Sequence, residues 1–230
     1  MKKKQIAVIG LGTFGSSVAR ELTLKGAEVL AIDTDEDKVK DITQHVAQAV
    51  VADATEDKVL RSLGVSDFDT AIVAIGESME SSILITLLLK ELGVKNIIVK
   101  SISSLHSKVV AKVGANRVIY PEYEMAKKLA DSLVSPNILE EIELSPEYNI
   151  VEALAPKRFW GKSIRDSEIR TNFNVDVIAV KRHAPVINDD GQSDVKEEIF
   201  IVPGGSFEIM EGDVVVLVGR DQAIDQIKKM

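Results

Sequence analysis

The sequence contains no cysteine and only three histidines among its 230 residues. The absence of cysteine excludes disulfides, thiol nucleophiles and thiolate metal sites, and it is typical of proteins from a reducing cytoplasm. The histidines His45, His106 and His183 lie far apart, and none has metal-ligand spacing to another histidine or to an acid. We therefore expect each of them to be a solvated side chain.

An excess of basic charge is also missing. The formal net charge is −8, and residues 140–230 contribute most of it, with 18 acidic and 11 basic side chains against 18 and 17 in residues 1–139. A protein that binds nucleic acid needs a basic surface that displaces counterions from the phosphates. We therefore expect no nucleic-acid partner.

The chain has no apolar run long enough for a membrane helix. The longest run, residues 83–89, is far shorter than the roughly 20 residues that a span requires. The segment "MKKKQIAVIGLG" has a basic start and an apolar stretch, but the stretch is too short for a signal peptide and continues into a glycine motif. We interpret it as a buried strand of a soluble protein.

Strand-like and helix-like segments alternate over the first 120 residues. Strand candidates cover 6–10, 28–33, 47–52, 70–75, 96–100 and 117–120, and helix candidates cover 14–25, 36–44, 56–63, 78–91 and 105–113. Several strand candidates are continuously apolar, which is typical of parallel strands covered on both faces. The pattern predicts an α/β fold with a Rossmann-like, doubly wound parallel sheet.

The pattern changes after Pro121. A helix is predicted over 122–135, followed by the alternating strands "NIVEALA", "VDVIAVKR", "EEIFIVP" and "GDVVVLVG". Short helices are expected near 161–172 and 221–229, and 188–194 is expected to be a hairpin tip. We predict a first domain over 1–121, a connecting helix over 122–139 and a small α+β C-terminal domain over 140–230.

The glycine motif "GLGTFG" follows a predicted strand and precedes a predicted helix. Gly10 allows a tight turn, Gly12 lets backbone approach a phosphate, and Gly15 lets the helix pack close to the sheet. The first helical amides present partial positive charge to an anion. Asp33 ends the second strand, where a carboxylate accepts both ribose hydroxyls of an adenosine and repels a 2′-phosphate. The motif predicts an adenine-nucleotide site.

Three acids near this site have two interpretations each. Asp33 either binds ribose or caps the next helix, which Asp35 can do equally well. Asp53 either faces the ligand crevice or caps the helix that begins near Glu56. Glu122 either complements the dipole of its helix or reaches toward a metal bound to phosphate. The sequence leaves these alternatives open.

Motifs for bond-making chemistry are missing. The sequence has no G-x-S-x-G elbow and no Walker-type lysine. The acidic pairs at 140–141 and 197–198 are interpreted as solvated strand and turn residues. A protein that binds a nucleotide without converting it is therefore expected. The alternative is a small NAD-dependent oxidoreductase, which requires a substrate pocket beside the nicotinamide.

Motifs along the whole chain resemble those of the RCK (regulator of potassium conductance) family, particularly its Ktr and Trk types. They are "QIAVIGLGTFG" at 5–15, "DTDEDKV" at 33–39, "ADAT" at 52–55, "DTAIVAIGE" at 69–77, "SILITLLLKELGV" at 82–94, "KVGA" at 112–115, "YPEYEMA" at 120–126, "EIR" at 168–170, "VIAVKR" at 177–182 and "EGDVVVLVG" at 211–219.

The resemblance implies a non-enzymatic, cytoplasmic regulatory subunit at the inner face of the membrane. Such subunits form dimers that assemble into an octameric gating ring beneath a membrane K⁺ translocation subunit. ATP and ADP, or NADH and NAD⁺, bind the same crevice and set the shape of the ring. The helix over 78–91 is then expected to pair subunits through its apolar surface.

The family's nucleotide site can be carried onto this sequence. Its residues are Gly10, Gly12, Thr13, Phe14, Gly15, Asp33, Thr34, Asp53, Ala54, Thr55, Ala74, Gly76, Lys100 and Glu122. Lys100 is expected to face the phosphates, and Glu122 is expected to hold a divalent cation such as Mg²⁺. Ktr-type members usually have arginine in place of Thr13 and Tyr123, so we expect weaker discrimination of the terminal phosphate.

The C-terminal domain resembles a dimeric receptor for cyclic di-AMP. The matching residues are Ile164, Arg165, Glu168, Ile169, Arg170, Asp176, Val177, Ala179 and Pro203. Arg170 is expected to grip a phosphate while apolar side chains enclose adenine. The family pattern favours an apolar residue at 165 and asparagine at 176. The alternative is a plain dimerisation domain in which Arg170 forms a surface salt bridge.

Overall fold

The chain folds into two units, the first ending at Ala126 and the second beginning at Lys127. The computed structural model describes residues 3–134, 137–187 and 193–228. The two units have different kinds of sheet, and each is described by itself.

The first unit has a six-stranded parallel sheet with the strand order β3-β2-β1-β4-β5-β6. Its strands are β1 (Gln5–Ile9), β2 (Glu28–Asp33), β3 (Gln48–Val51), β4 (Thr70–Val73), β5 (Ile97–Lys100) and β6 (Arg117–Ile119). Its helices are α1 (Thr13–Leu24), α2 (Glu36–Ile42), α3 (Asp57–Ser62), α4 (Met79–Glu91), α5 (Ser104–Val113) and the start of α6 (Pro121–Val134).

Helices cover both faces of this sheet. Ala7 and Ile9 of β1 join a buried cluster that includes side chains of α3, α4 and α5. Ile6 and Val8 point the other way and join a second cluster with α1 and α2. Each fully buried Val, Leu or Ile side chain stabilises the fold by about 1.5–3 kcal/mol. The predicted Rossmann-like, doubly wound sheet is confirmed, and the continuously apolar strands are the consequence of two covered faces.

The second unit has a five-stranded antiparallel sheet with the order β11-β10-β13-β8-β7, and a two-stranded sheet of β9 and β12. Its strands are β7 (Ile138–Ser145), β8 (Tyr148–Leu154), β9 (Lys162–Ser163), β10 (Asp176–Ile187), β11 (Ser193–Ile201), β12 (Glu208–Ile209) and β13 (Val214–Arg220). Its helices are α7 (Ile169–Phe173) and α8 (Asp221–Lys228). The predicted small α+β domain is confirmed.

Details of the second unit differ from the expectations. Strand β7 was not predicted, because it is an edge strand whose residues are almost all exposed and whose sequence lacks clean alternation. The helix expected over 161–172 is confined to α7, because Glu168 just before it has a φ of 55° in the left-handed region. The predicted hairpin tip lies mostly outside the described residues, although β10 and β11 pair as a hairpin.

A buried ion pair joins three segments of the second unit. Asp213 is fully buried, and its two carboxylate oxygens accept hydrogen bonds from Nε and Nη2 of Arg182, both at 2.7 Å. The backbone N–H of Met210 donates to the same carboxylate at 2.8 Å. The guanidinium also lies 5.7 Å from the ring of Phe200 and 5.2 Å from that of Phe207. Arginine is particularly suited to bidentate hydrogen bonding with a carboxylate and to stacking on aromatic rings.

No helix within the described ranges combines the length and the apolarity that crossing a membrane demands.

Candidate functional site

A cavity of about 840 Å³ opens in the first unit beside the carboxyl ends of its strands. This is the edge at which open α/β sheets bind ligands, where the strand order reverses between β1 and β4. The volume is within the range of small-molecule and cofactor sites. The cavity is lined by Ile9, Gly10, Gly12, Thr13, Phe14, Ser17, Ile32, Asp33, Thr34, Asp35, Lys38, Ala52, Asp53, Ala54, Thr55, Ala74, Ile75, Gly76, Glu77, Ser78, Ser81, Ile85, Lys100 and Glu122.

The glycine loop between β1 and α1 forms one wall of the cavity. Gly10 has a φ of +94°, and a Cβ atom there would lie 3.0 Å from the carbonyl carbon of Ala74. A Cβ on Gly15 would lie 1.8 Å from the carbonyl oxygen of Gly10, so only glycine allows α1 to approach the loop this closely. Gly12 differs, since a Cβ there would have no neighbour within 4 Å. Its backbone is open to a ligand.

Asp33 is held at the cavity by backbone donors. The N–H of Leu11 donates to Oδ2 at 2.6 Å, and the N–H of Asp35 donates to Oδ1 at 2.9 Å. Asp35 caps α2 by accepting from the N–H groups of Asp37 and Lys38. Asp33 is therefore not the cap of α2. Each of its oxygens retains acceptor capacity for a further hydrogen bond.

Asp53 forms a local turn at the cavity edge. Its Oδ1 accepts from the backbone N–H of Thr55 at 2.9 Å and from its hydroxyl at 2.7 Å. These hydrogen bonds lower the pKa of the Asp53 carboxyl below its usual value. Glu56 is the N-cap residue of α3, and no side chain forms a capping hydrogen bond at the start of this helix. The interpretation of Asp53 as a helix cap is wrong, because the side-chain hydrogen bonds of Asp53 are to Thr55 within its own turn and none is to an N–H group of α3.

Lys100 and Glu122 form an ion pair at the cavity wall. The ammonium nitrogen of Lys100 lies 2.6 Å from Oε1 of Glu122 and 5.8 Å from the centre of the Phe14 ring. The hydrogen bond from Lys100 is the main reason that the pKa of the Glu122 carboxyl is lowered. Glu122 therefore carries its negative charge at neutral pH. Glu122 is also in the first turn of α6, where its negative charge complements the helix dipole, as the first of its two interpretations states.

Every residue of the predicted nucleotide site lines the cavity except Gly15, which supports the loop from behind. Several lining residues were not predicted from the sequence, among them Ser17, Lys38, Glu77, Ser78 and Ser81. Ser17 is one helical turn beyond Thr13, and Glu77 and Ser78 follow β4. The position of β4 next to β1, which only the sheet order reveals, brings them to the site.

Protein ligands for a metal ion are few here. Within the described parts of the chain, no group of three or more His, Cys, Asp or Glu side chains is arranged to hold a metal ion. Glu122 offers one carboxylate, and that carboxylate is engaged by Lys100. The chain's own residues therefore do not form a complete cation site around Glu122.

The residues matched to a second-messenger site have mixed environments. Ile169 and Ala179 are buried in the second unit, with only 1% and 7% of their residue surface exposed. Arg170 Nε lies 3.1 Å from Asp176 Oδ1, and both side chains are mostly exposed. This is the surface salt bridge of the alternative interpretation, and it leaves the guanidinium accessible.

The expectation of three solvated histidines is wrong for His106. This residue in the first turn of α5 is fully buried, and its Nδ1 accepts from the N–H of Ile102 at 3.3 Å. Burial lowers the pKa of its imidazole. A histidine in the polar segment "SISSLHS" gives no sequence signal of burial. His45 and His183 are exposed, as expected.

Both units match known domain families. Residues 6–121 match the TrkA-N domain and residues 150–230 match the TrkA-C domain. The matches define a two-domain protein of the TrkA-N and TrkA-C type.

Curated relatives make the assignment specific. The chain is 43% identical over 217 residues to Ktr system potassium uptake protein C of Bacillus subtilis, covering 94% of this chain and 98% of that protein. It is 41% identical over 228 residues to Ktr system potassium uptake protein A of the same organism, covering 99% and 97%. The chain belongs to the RCK family, in the group that includes the Ktr system potassium uptake proteins.

Solved structures with the same fold include the GsuK channel bound to NAD, with a TM-score of 0.55, and the GsuK RCK domain, with a TM-score of 0.53. Each is 22% identical to this chain and is aligned over 100% of it, but the chain spans only 38% and 47% of those two GsuK chains. At this identity the likeness concerns the fold alone.

Proposed function

We propose that the chain is a cytoplasmic regulatory subunit of a membrane potassium uptake system, and that an adenine nucleotide bound in the cavity controls it. The observation that carries the proposal is the cavity itself. It combines an open Gly12 backbone, the Asp33 carboxylate and the Lys100 ammonium at the crevice of a Rossmann-like sheet. The potassium uptake role is supported by the names of the Ktr relatives.

The nucleotide is expected to lie with its adenosine toward Asp33 and its phosphates toward the glycine loop. The first N–H groups of α1 have no side-chain cap, so they are free to donate hydrogen bonds to an anion. Asp33 accepts ribose hydroxyls and disfavours a 2′-phosphate by charge repulsion. ATP, ADP, NADH and NAD⁺ all satisfy this arrangement, and the NAD-bound GsuK channel is a precedent within the fold.

Assembly into a ring of dimers is the second part of the proposal. Helix α4 leaves Leu84 and Leu87 exposed by 42% and 41% after its other face is buried against the sheet. Apolar side chains exposed together mark interaction surfaces. A homo-octamer docked at the inner membrane face would convert ligand-dependent ring geometry into control of a K⁺ translocation subunit.

A divalent cation bound by Glu122 would require further oxygen ligands besides this carboxylate. Mg²⁺ is commonly held by one or two carboxylates together with phosphates and water. Glu122 would be the carboxylate, and the nucleotide would supply phosphate oxygens.

Cyclic di-AMP remains a proposal for the second unit. Arg170 would exchange its exposed partner Asp176 for a phosphate of the dinucleotide. Arg170→Gln is expected to reduce cyclic di-AMP binding at least tenfold, whereas Arg220→Gln, which removes another exposed guanidinium, is the control. Calorimetric titration measures the affinity of each variant for cyclic di-AMP. If Arg170→Gln binds cyclic di-AMP as tightly as Arg220→Gln does, the plain dimerisation domain is the better interpretation.

Calorimetry on ligand-stripped protein tests the nucleotide site. We expect binding of ATP, ADP and NADH, with NADPH at least about tenfold weaker than NADH because Asp33 repels its 2′-phosphate. Asp33→Asn should narrow the difference between NADH and NADPH. Asp37→Asn, which removes an exposed acid outside the cavity, should not. No heat with any adenine compound, or steady consumption of NADH with a substrate, would contradict the proposal.

Light scattering tests assembly. The wild-type chain is expected to have the mass of an octamer, and Leu84→Gln with Leu87→Gln should lower that mass while the fold is retained. Growth tests regulation. A strain that lacks the gene should grow poorly when potassium is limiting, and the Asp33→Ala chain, which lacks the acceptor for the ribose hydroxyls, should fail to restore ligand-dependent control. Normal control by Asp33→Ala would contradict the regulatory role of the cavity.

A further inference from the structure

Two buried polar atoms of the first unit have no hydrogen-bond partner among the described residues. They are Oγ of Ser82 in α4 and Nε2 of His106 in α5, and neither residue has any exposed surface. Buried polar groups in folded proteins are almost always bonded to protein atoms or to ordered water. These two atoms therefore need a partner from outside the described chain.

His106 offers a hydrogen-bond donor. Its Nδ1 accepts from the backbone N–H of Ile102 at 3.3 Å, so the proton of the neutral ring is on Nε2. Burial lowers the pKa of the imidazole, which favours the neutral ring at neutral pH. The unpartnered nitrogen is therefore an N–H group, which requires an acceptor and cannot bind a cation.

Ser82 and His106 have equivalent places on two neighbouring helices. Helices α4 and α5 contact each other and follow the adjacent parallel strands β4 and β5, so both begin at the same end of the sheet. Ser82 is three residues before Ile85, and Val110 is four residues after His106. Ile85 and Val110 belong to one buried cluster. Because residues three or four apart share a face of a helix, Ser82 and His106 both lie on the faces that meet in this cluster, near the first turns of α4 and α5.

Water is the occupant that fits both atoms. Neither side chain carries a charge at neutral pH, and the neighbouring cluster is apolar, so nothing in this pair attracts an ion. A buried water forms between about two and four hydrogen bonds, for which two polar partners are sufficient. Its oxygen can accept from the N–H of His106 while one of its O–H groups donates to the hydroxyl of Ser82.

We propose that one buried water molecule bridges Nε2 of His106 and Oγ of Ser82, and so joins the first turn of α4 to that of α5. Ser78 caps this turn of α4 and Ser81 lies in it, and both residues line the cavity. The water therefore supports one wall of the cavity from behind. This role does not depend on which ligand the cavity binds.

A crystal structure of the full chain, at a resolution that shows ordered water, tests the bridge. The expected result is a single water whose oxygen lies within about 3.2 Å of both atoms. A direct hydrogen bond between Ser82 and His106, a water that contacts only one of them, or no water at either atom would overturn the proposal.

A double-mutant cycle measures the same bridge in solution. His106→Asn keeps an acceptor for the N–H of Ile102 but has no atom at the position of Nε2. We expect Ser82→Ala to raise the unfolding equilibrium constant by a factor at least about threefold larger in wild type than in His106→Asn, because the bridge is already broken in that variant. Urea unfolding followed by circular dichroism measures both factors.

The matched control is Ser62→Ala, since the exposed Ser62 hydroxyl donates within α3 to the carbonyl of Val59. This substitution should change the unfolding equilibrium constant by the same factor in wild type and in His106→Asn. Equal factors for Ser82→Ala in the two backgrounds would show that Ser82 and His106 share no water, and would overturn the proposal.

Discussion

The two units of the chain cover their sheets in different ways. In the first, helices cover both faces of a parallel sheet, and polar side chains collect where the strands end. In the second, an antiparallel sheet has a nearly fully exposed edge strand, β7, and a charged pair lies buried beside its core. The first unit has charged side chains in an open cavity, whereas the second unit has the buried Arg182–Asp213 ion pair inside its fold.

This difference separates the charged residues that we expect to determine ligand affinity from those that we expect to determine stability. Charges at the strand ends of the first unit remain available to a ligand, because the sheet interior needs only apolar residues. The Arg182–Asp213 pair in the second unit has its acceptors already used by two guanidinium nitrogens and one backbone N–H. Substitutions of the cavity charges should therefore alter nucleotide affinity in the first unit, whereas substitutions of the Arg182–Asp213 pair should alter stability in the second.

The largest effect is expected for Asp213→Ala. Removal of one partner of a buried ion pair leaves an uncompensated charge and costs about 3–5 kcal/mol. The single tryptophan, Trp160, belongs to the second unit and is half-buried, so its fluorescence reports unfolding of that unit. Urea titration followed by this fluorescence should show a loss of at least about 3 kcal/mol, while ADP binding by the first unit is unchanged.

The control for this prediction is an ion pair at the surface. Asp176→Ala removes the same charge from the exposed pair with Arg170 and should cost no more than about 1 kcal/mol. Similar losses for the two variants would contradict the contrast between buried and exposed charge. A large loss of ADP affinity in Asp213→Ala would contradict the separation of binding from stability.

The sequence allowed prediction of the first unit in more detail than the second. Local signals determine the glycine loop, and Asp33 follows from the length of one β-α-β unit. The pair of Lys100 and Glu122 brings together the end of β5 and the start of α6, and both residues were carried over from the family without the contact between them. Burial of Asp213 depends on Arg182, which is far away in sequence, so no local pattern predicts it.

A smaller effect is expected for Gly15→Ala in the first unit. The added methyl group would lie within 2 Å of the Gly10 carbonyl oxygen, so the loop or helix α1 must shift. Overpacking of this kind costs about 1–3 kcal/mol. Circular dichroism during thermal unfolding measures the loss, and ADP affinity should fall as well because the loop moves.

Gly12→Ala is the matched control for this substitution. A methyl group on Gly12 meets no neighbouring atom within 4 Å, and its φ of −64° suits alanine. Stability should change by no more than about 1 kcal/mol, the usual cost of alanine at a helix N-cap. ADP affinity should nevertheless fall at least about tenfold, because the methyl group occupies the approach of the phosphate. Unchanged affinity would indicate that phosphate does not approach Gly12.

The smallest effect concerns acid and the buried His106 of the first unit. Burial keeps the pKa of this imidazole below its value of about 6.5 in an unfolded chain. Below that pH the unfolded state binds a proton that the folded state does not, so His106 makes the folded state less stable as the pH falls. The side-chain oxygen of Asn in His106→Asn can accept from the N–H of Ile102. The free energy of unfolding of this variant should fall less than that of wild type as the pH decreases from about one unit above 6.5 to about one unit below it. His45→Asn, an exposed histidine in the same unit, is the control, and an equal fall in wild type and His106→Asn would show that His106 is protonated in the folded chain.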